Sequence, residues 1–215
     1  MTKSEVRKYI KEQLSSPAVK ATLSYESKII CDTILQSRRY TSSTTLLAYM
    51  PLEDEVDISP VISDALSKGK KVFLPRVIPD TNRMEFYRYE ADSQTTSGSY
   101  GIQEPQAVTS HSFAKFLEQM SINEYSPAAH SSNFVDIPDS EDSQEHILVL
   151  FPGRAFTKDG RRIGRGKGFY DVYFSNVPTI FDIRKSGVCF KCQLLAELPT
   201  TPDDIMMDNV FSSNV

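Results

Sequence analysis

A chain of 215 residues with 40% apolar side chains can bury one full core, so a single domain spanning 1–215 is the expectation. Lysine and arginine number 24 against 28 acidic residues, and a net charge of −4 argues against a protein built around non-specific nucleic-acid binding, so any basic site must be local. The longest apolar runs, such as 147–151, are too short to span a bilayer, the N-terminus lacks the apolar stretch of a secretion signal, and three cysteines make no disulfide framework, which points to a cytoplasmic protein with no membrane partner.

Thr2 and Glu5 have the spacing of a capping box, and Val6, Tyr9, Ile10 and Leu14 recur behind them at helical spacing, which predicts an opening helix. After Ser15-Ser16-Pro17, the positions of Val19, Leu23, Ile30 and Ile34 predict a second helix that ends before the Ser/Thr-rich stretch 42–45. Residues 46–50 form a continuous apolar run bounded by turn residues, as in a strand buried on both faces. Ser59 is placed to cap a helix with Pro60 at its first position and Val61, Ile62, Ala65 and Leu66 on its buried face; Gly69 stops it and 71–75 read as the next strand. Residues 46–75 are thus a short βαβ unit with parallel strands.

Residues 84–89 alternate apolar with polar, as in a strand exposed on one face. From 106 to 146 the regularity fades apart from a short helix over 113–120, and 126–144, rich in serine, proline and acids, read as a mobile surface insertion. Ile147–Phe151 is a second buried strand, ended by Pro152-Gly153, and a helical turn over Phe169–Phe174 and a strand over 179–183 follow. The fold class these elements define is α/β, an open, mostly parallel sheet flanked by helices in three Rossmann-like layers.

Five cations and four glycines fall within residues 158–168, between the strand ending at Phe151 and the helix near Tyr170. Glycines let the backbone approach a ligand and turn N–H groups toward it, while Arg and Lys supply charge and forked donors to phosphate oxygens. The segment is no Walker A loop, since Lys167 is followed by Gly168 and the first glycine of that pattern falls on Arg161, and it is no dinucleotide fingerprint. A phosphate site, a basic surface hairpin and an RNA-binding Arg-Gly tract all remain open on this composition alone. Asp171, beside the cations, is a structural ion-pair partner before it is a Mg²⁺ ligand, and Asp203, Asp204 and Asp208 offer either a second ligand or a solvated acidic tail.

A second cluster, Met50-Pro51-Leu52-Glu53-Asp54-Glu55-Val56-Asp57, follows a buried strand of the βαβ unit, where open α/β sheets bind ligands. Tyr100, in a loop flanked by Gly98 and Gly101, could stack on a flat ligand or simply pack. Cys189 and Cys192 have redox spacing without a second pair or a nearby histidine, and His111, His130 and His146 show no metal-ligand spacing. No Gly-x-Ser-x-Gly elbow or other covalent nucleophile announces itself.

Lys3 and Arg7, residues 51–57, residues 101–105, Pro152-Gly153-x-Ala155-Phe156 and above all residues 162–171 together resemble the 5-formyltetrahydrofolate cyclo-ligase family, also called methenyltetrahydrofolate synthetase, over nearly the whole chain. The resemblance implies ATP- and Mg²⁺-dependent conversion of 5-formyltetrahydrofolate to 5,10-methenyltetrahydrofolate with release of ADP and phosphate. By position it implies Arg162, Arg165 and Lys167 as catalytic residues and Lys3, Arg7, Arg162, Gly164, Arg165, Gly166, Lys167, Gly168, Phe169 and Tyr170 around ATP. Met50, Glu55 and Tyr100 match the folate pocket, which Arg165, Gly166, Lys167, Gly168 and Phe169 also line, and Asp171 and Asp204 match the Mg²⁺ ligands. The expected partners are the two small substrates, taken up by a monomer, with a mitochondrial pool as the alternative to cytoplasmic residence.

Phe169 stands where the family has the first tyrosine of Tyr-Tyr-Asp, Ile163 where it has leucine, and Arg154 where a small or apolar residue is common. The stretch 106–146 is longer than the family leads one to expect. These departures support an alternative reading, a nucleotide-binding paralogue acting on another small molecule. A third, an RNA-binding module using 158–167, predicts steeply salt-dependent RNA affinity that ATP does not displace.

Overall fold

The structure, a computed structural model, describes residues 1–91, 95–97, 103–124 and 146–213. Helix α1 (Lys3–Ser15) opens on the expected capping box, the Thr2 hydroxyl accepting from the Glu5 N–H while the Glu5 carboxylate accepts the Thr2 N–H at 2.7 Å. It buries Val6, Ile10 and Leu14, one stripe at i, i+4 spacing, and leaves Tyr9 at the margin of that stripe, 41% exposed. The second predicted helix is two, α2 (Pro17–Lys20) and α3 (Leu23–Gln36), because the Thr22 hydroxyl donates to the Val19 carbonyl at 2.9 Å and closes a local turn. A short α4 (Arg38–Thr41) follows, with the Ser37 hydroxyl accepting the Tyr40 N–H.

Strand β1 (Thr45–Leu47) is shorter than its apolar run, though residues 45–49 are all buried. Helix α5 (Ser59–Ser67) corrects one expectation. Ser59 is its first helical residue and makes no side-chain cap, whereas Asp57 accepts the Ser59 N–H at 3.0 Å, a full negative charge serving the helix start better than a hydroxyl. Gly69, at φ +71, turns the chain into β2 (Lys71–Val77), which lies parallel to β1 and completes the βαβ unit. Strand β3 (Met84–Tyr89) runs antiparallel to β2, and β4 (Thr95–Ser97) pairs with β5 (Gln103–Pro105). Helix α6 (Phe113–Glu124) outlasts its predicted span. Residues 125–145, the core of the expected insertion, and Tyr100 and His130 lie outside the described residues.

Strand β6 (Ile147–Phe151) is buried throughout; β7 (Ala155–Phe156) and β8 (Arg162–Ile163) form a hairpin before α7 (Phe169–Phe174). The strand expected over 179–183 lies further on, as β9 (Ile183–Cys189), and Ile180 is 71% exposed. Its signal is weak because Gly187 stands where a side chain would collide with the Phe156 ring, a Cβ there lying 2.4 Å from Phe156 Cε1. Strand β10 (Asn209–Ser212), unforeseen, pairs parallel to β9.

The main sheet has the order β10-β9-β6-β1-β2-β3, all neighbours parallel except β3, which is the antiparallel edge. Alternate strand residues feed two cores. Leu46, Ala48, Val72, Leu74, Leu148 and Leu150 pack with α1, α3 and α5, while Leu47, Phe73, Ile147, Val149 and Phe151 pack with α6 and α7. This is the three-layer α/β architecture expected of the sequence. Among the described residues no helix is long and apolar enough to cross a membrane.

Candidate active site

Beyond the carboxyl ends of β1, β2 and β6 lies a cleft of about 560 Å³, within the about 300–1,000 Å³ usual for small-molecule sites. Tyr49, Met50, Pro75, Val77, Pro152 and Gly153 form its floor, and the segment 162–171 closes one side. Lys3 and Arg7 of α1 and Asp204 of the C-terminal segment complete it. Every described residue that the family resemblance places in the site therefore lines this one cleft, although they come from both ends and the middle of the chain.

The 162–168 loop is held from two sides. Its stem, the β7–β8 hairpin, turns at Gly160, whose φ is +93 and whose carbonyl accepts the Met207 N–H at 2.8 Å; a Cβ there would lie 2.1 Å from Met207 O. Arg7 Nε donates to the Gly164 carbonyl at 2.8 Å, and its guanidinium backs onto Gly166. Gly166 and Gly168 both need positive φ, +105 and +71, which a side chain would strain.

The three loop cations sit in different environments. Arg162 is buried, its guanidinium 5.6 Å from both the Phe151 and the Tyr170 ring centroids, and it donates from Nη2 to Asp171 Oδ1 at 3.0 Å and from Nη1 to the Pro152 carbonyl at 3.2 Å. Arg165 reaches across the cleft, donating from Nε to Glu55 Oε1 at 2.9 Å and from Nη2 to Asp54. Lys167 is exposed and, among the described residues, has no hydrogen-bond or ion-pair partner.

Asp171 Oδ1 also accepts the Ile205 N–H at 3.3 Å, which sets it beside Asp204. Asp204 takes the Lys3 ammonium at 2.6 Å and the Thr201 N–H at 2.6 Å. Partial burial would raise the Asp204 carboxyl, but Lys3 and Thr201 more than offset this and hold it below its ordinary value. Asp171 and Asp204, lining the same cleft, have the oxygen donors that Mg²⁺ takes, one or two from protein with the remainder from phosphate and water. Asp208 is engaged elsewhere, accepting the Lys185 N–H at 2.7 Å, and Asp203 is exposed outside the cleft lining.

Met50 and Glu55 line the wall opposite the loop; Glu55 also accepts the Leu52 N–H at 3.1 Å. Residues that sequence reasoning left without a role join them. Asp54, in the acidic turn after β1, pairs with Arg165 and Arg154 of the cleft lining, and Glu104, a buried carboxylate of β5 that itself lines the cleft, accepts the Val77 N–H at 3.3 Å. Cys189 is buried, and burial raises its thiol well above the ordinary value.

A cleft outside the carboxyl ends of parallel strands, basic on one wall and acidic on the other, defines an α/β enzyme of small molecules. The profile of the 5-formyltetrahydrofolate cyclo-ligase family matches residues 1–120 and 112–213, and the chain belongs to that family of ligases. The 5-formyltetrahydrofolate cyclo-ligase of Mus musculus is 25% identical over 212 residues, covering 97% of this chain and 92% of its own. Two solved structures share the fold. The 5,10-methenyltetrahydrofolate synthetase of Aquifex aeolicus superposes with a TM-score of 0.67 at 24% identity, covering 99% of this chain and 90% of its own, and that of Mycoplasma pneumoniae with 0.61 at 20%, covering 98% of each.

Proposed function

We propose that the chain, acting as one domain, converts 5-formyltetrahydrofolate to 5,10-methenyltetrahydrofolate with ATP and Mg²⁺, releasing ADP and phosphate. The observation that carries this reading is the meeting, in one cleft, of the 162–168 loop with the acidic turn after β1 and with Asp171 and Asp204. The formyl oxygen is a poor leaving group. Its attack on the γ-phosphorus breaks the bond to ADP and leaves an iminium phosphate, which the substrate's own N10 attacks at carbon. Loss of the N10 proton and departure of phosphate, carrying the former formyl oxygen, leave the methenyl bridge.

No protein nucleophile is needed, so the chain's task is to bring two substrates together and to neutralise phosphate charge. Lys167, uncommitted to any described partner, is the cation best placed to follow the transferred group. Arg165 spans phosphate loop and folate wall, and Lys3 and Arg7 approach from α1. Asp171 and Asp204 would hold Mg²⁺, which supplies charge neutralisation on the phosphates when bound. Glu55 and Met50 form the folate wall, where a carboxylate can accept the pterin ring's N–H donors.

Purified protein mixed with 5-formyltetrahydrofolate, ATP and Mg²⁺ should develop the longer-wavelength absorbance of the conjugated methenyl product only when all three are present. Phosphate release that is indifferent to the folate would sink the reading. It would instead favour the nucleotide-binding paralogue, for which Arg154 in the cleft lining is the specific observation.

A further inference from the structure

Arg154 follows β6, its N–H bonded to the Ile163 carbonyl at 2.7 Å and its side chain only 14% exposed at the cleft. Its Nη1 donates to Asp54 Oδ2, while the other oxygen of the same carboxylate, Oδ1, accepts from Arg165 Nη2. Arg165 Nε is meanwhile on Glu55. Two guanidinium groups and two carboxylates thus form a neutral quartet that ties the phosphate loop to the turn after β1.

A phosphate that takes the Nε and Nη2 edge of Arg165 as a bidentate fork draws that edge away from these two acids. With Arg154 in place, the three groups left behind carry one net negative charge, and Asp54 keeps a guanidinium partner. Without Arg154, the departure of Arg165 would leave two carboxylates side by side with no cationic partner, Glu55 with a side chain only 8% exposed. A charge stripped of its partner in a poorly solvated site is costly, so Arg165 would then be held back.

We propose that Arg154 is a positioning residue that acts through Asp54: by neutralising that carboxylate it frees Arg165 to engage the nucleotide's phosphates. This rests on the reading of the cleft as an ATP site. Glu55 retains the Leu52 N–H when Arg165 turns away, and the deeper burial of Arg154 relative to Arg165, 14% against 33% exposed, makes Arg154 the stationary member of the pair.

The test is calorimetric binding of MgATP to the full chain in a double-mutant cycle. Arg154→Met should weaken binding about tenfold, equivalent to about 1.4 kcal/mol, and Arg154→Lys should recover most of it. In an Arg165→Gln background, the same Arg154→Met change should have less than about a twofold effect, because there is no Arg165 left to release. Adding Asp54→Asn to Arg154→Met should restore affinity. A tenfold loss that persists in the Arg165→Gln background would mean that Arg154 acts by its field on the nucleotide, and no loss at all in Arg154→Met would mean that it does not act; either overturns the proposal. Should Arg154→Met not fold, Arg154→Gln carries the same predictions. Failure of the unsubstituted chain to bind MgATP is a separate outcome, which sinks the nucleotide reading and this proposal with it.

Discussion

Cations of the same loop serve different ends, and burial decides which. Arg162, wedged between two aromatic rings and bonded to Asp171, braces the loop, whereas Lys167 projects without a described partner. Lys167→Ala should therefore leave the urea midpoint within about 0.5 kcal/mol of the parent, as for a surface change, while lowering kcat by about 100-fold or more, as for loss of a transition-state charge partner. Arg162→Met should do the reverse first, costing about 2 kcal/mol or more by stranding Asp171 and lowering activity as the loop loosens. Urea titrations beside turnover measurements separate the two, and equal stability losses would refute this division. The residue types and their spacing were legible in the sequence. Which arginine points inward was not, because Phe151 and Tyr170 flank Arg162 only once β6 and α7 have packed.

At the scale of elements, the loop depends on a hairpin keyed into the sheet. The Phe156 ring fills a slot in which a Cβ at Gly153 would lie 2.6 Å and one at Gly187 2.4 Å from its carbons. Phe156→Ala should cost about 3–5 kcal/mol, the range for a fully buried ring, and Gly160→Ala at least about 2 kcal/mol, from its positive φ and the clash with Met207. Both are read from urea unfolding, and a Gly160→Ala protein as stable as the parent would show that the hairpin tip does not dock on the C-terminal segment. These glycines also explain why β9 was misplaced in the sequence. A strand that must leave room for a ring reads as Ser186-Gly187, not as an apolar run, and in the apolar stretch 179–183 Ile180 is exposed on a turn while Phe181 and Ile183 pack against the core.

For the molecule as a whole, several carboxylates are held below their ordinary value of 3.8. For Asp54, burial pulls upward but Arg165 and Arg154 outweigh it; for Asp64, the Tyr40 hydroxyl and Lys68 lower it; Asp204 is lowered by Lys3 and Thr201 against burial. Each group binds its proton more readily in the unfolded chain, so its stabilisation is complete above that value and lost as pH falls through the lower folded one. The urea midpoint should hold from pH 7 to about 5 and fall below about 4, and the fall should be shallower in Asp54→Asn/Asp204→Asn. A midpoint flat down to pH 3 would refute the assignment.

Local chemistry is what the sequence by itself determined: the capping box at Thr2, the βαβ unit, the buried β6 and the Gly-rich cationic loop, whose motif carries the resemblance to the family. Those signals lie in neighbours a few residues apart, whose geometry the backbone imposes. Only the tertiary structure decided the partners. Lys3 meets Asp204, Arg7 meets Gly164, and Asp54 stands between Arg154 and Arg165, contacts joining segments up to 201 residues apart. Such pairings leave no period in the sequence, because they are set by the order of strands in the sheet and by the ring and glycine packing that docks the hairpin.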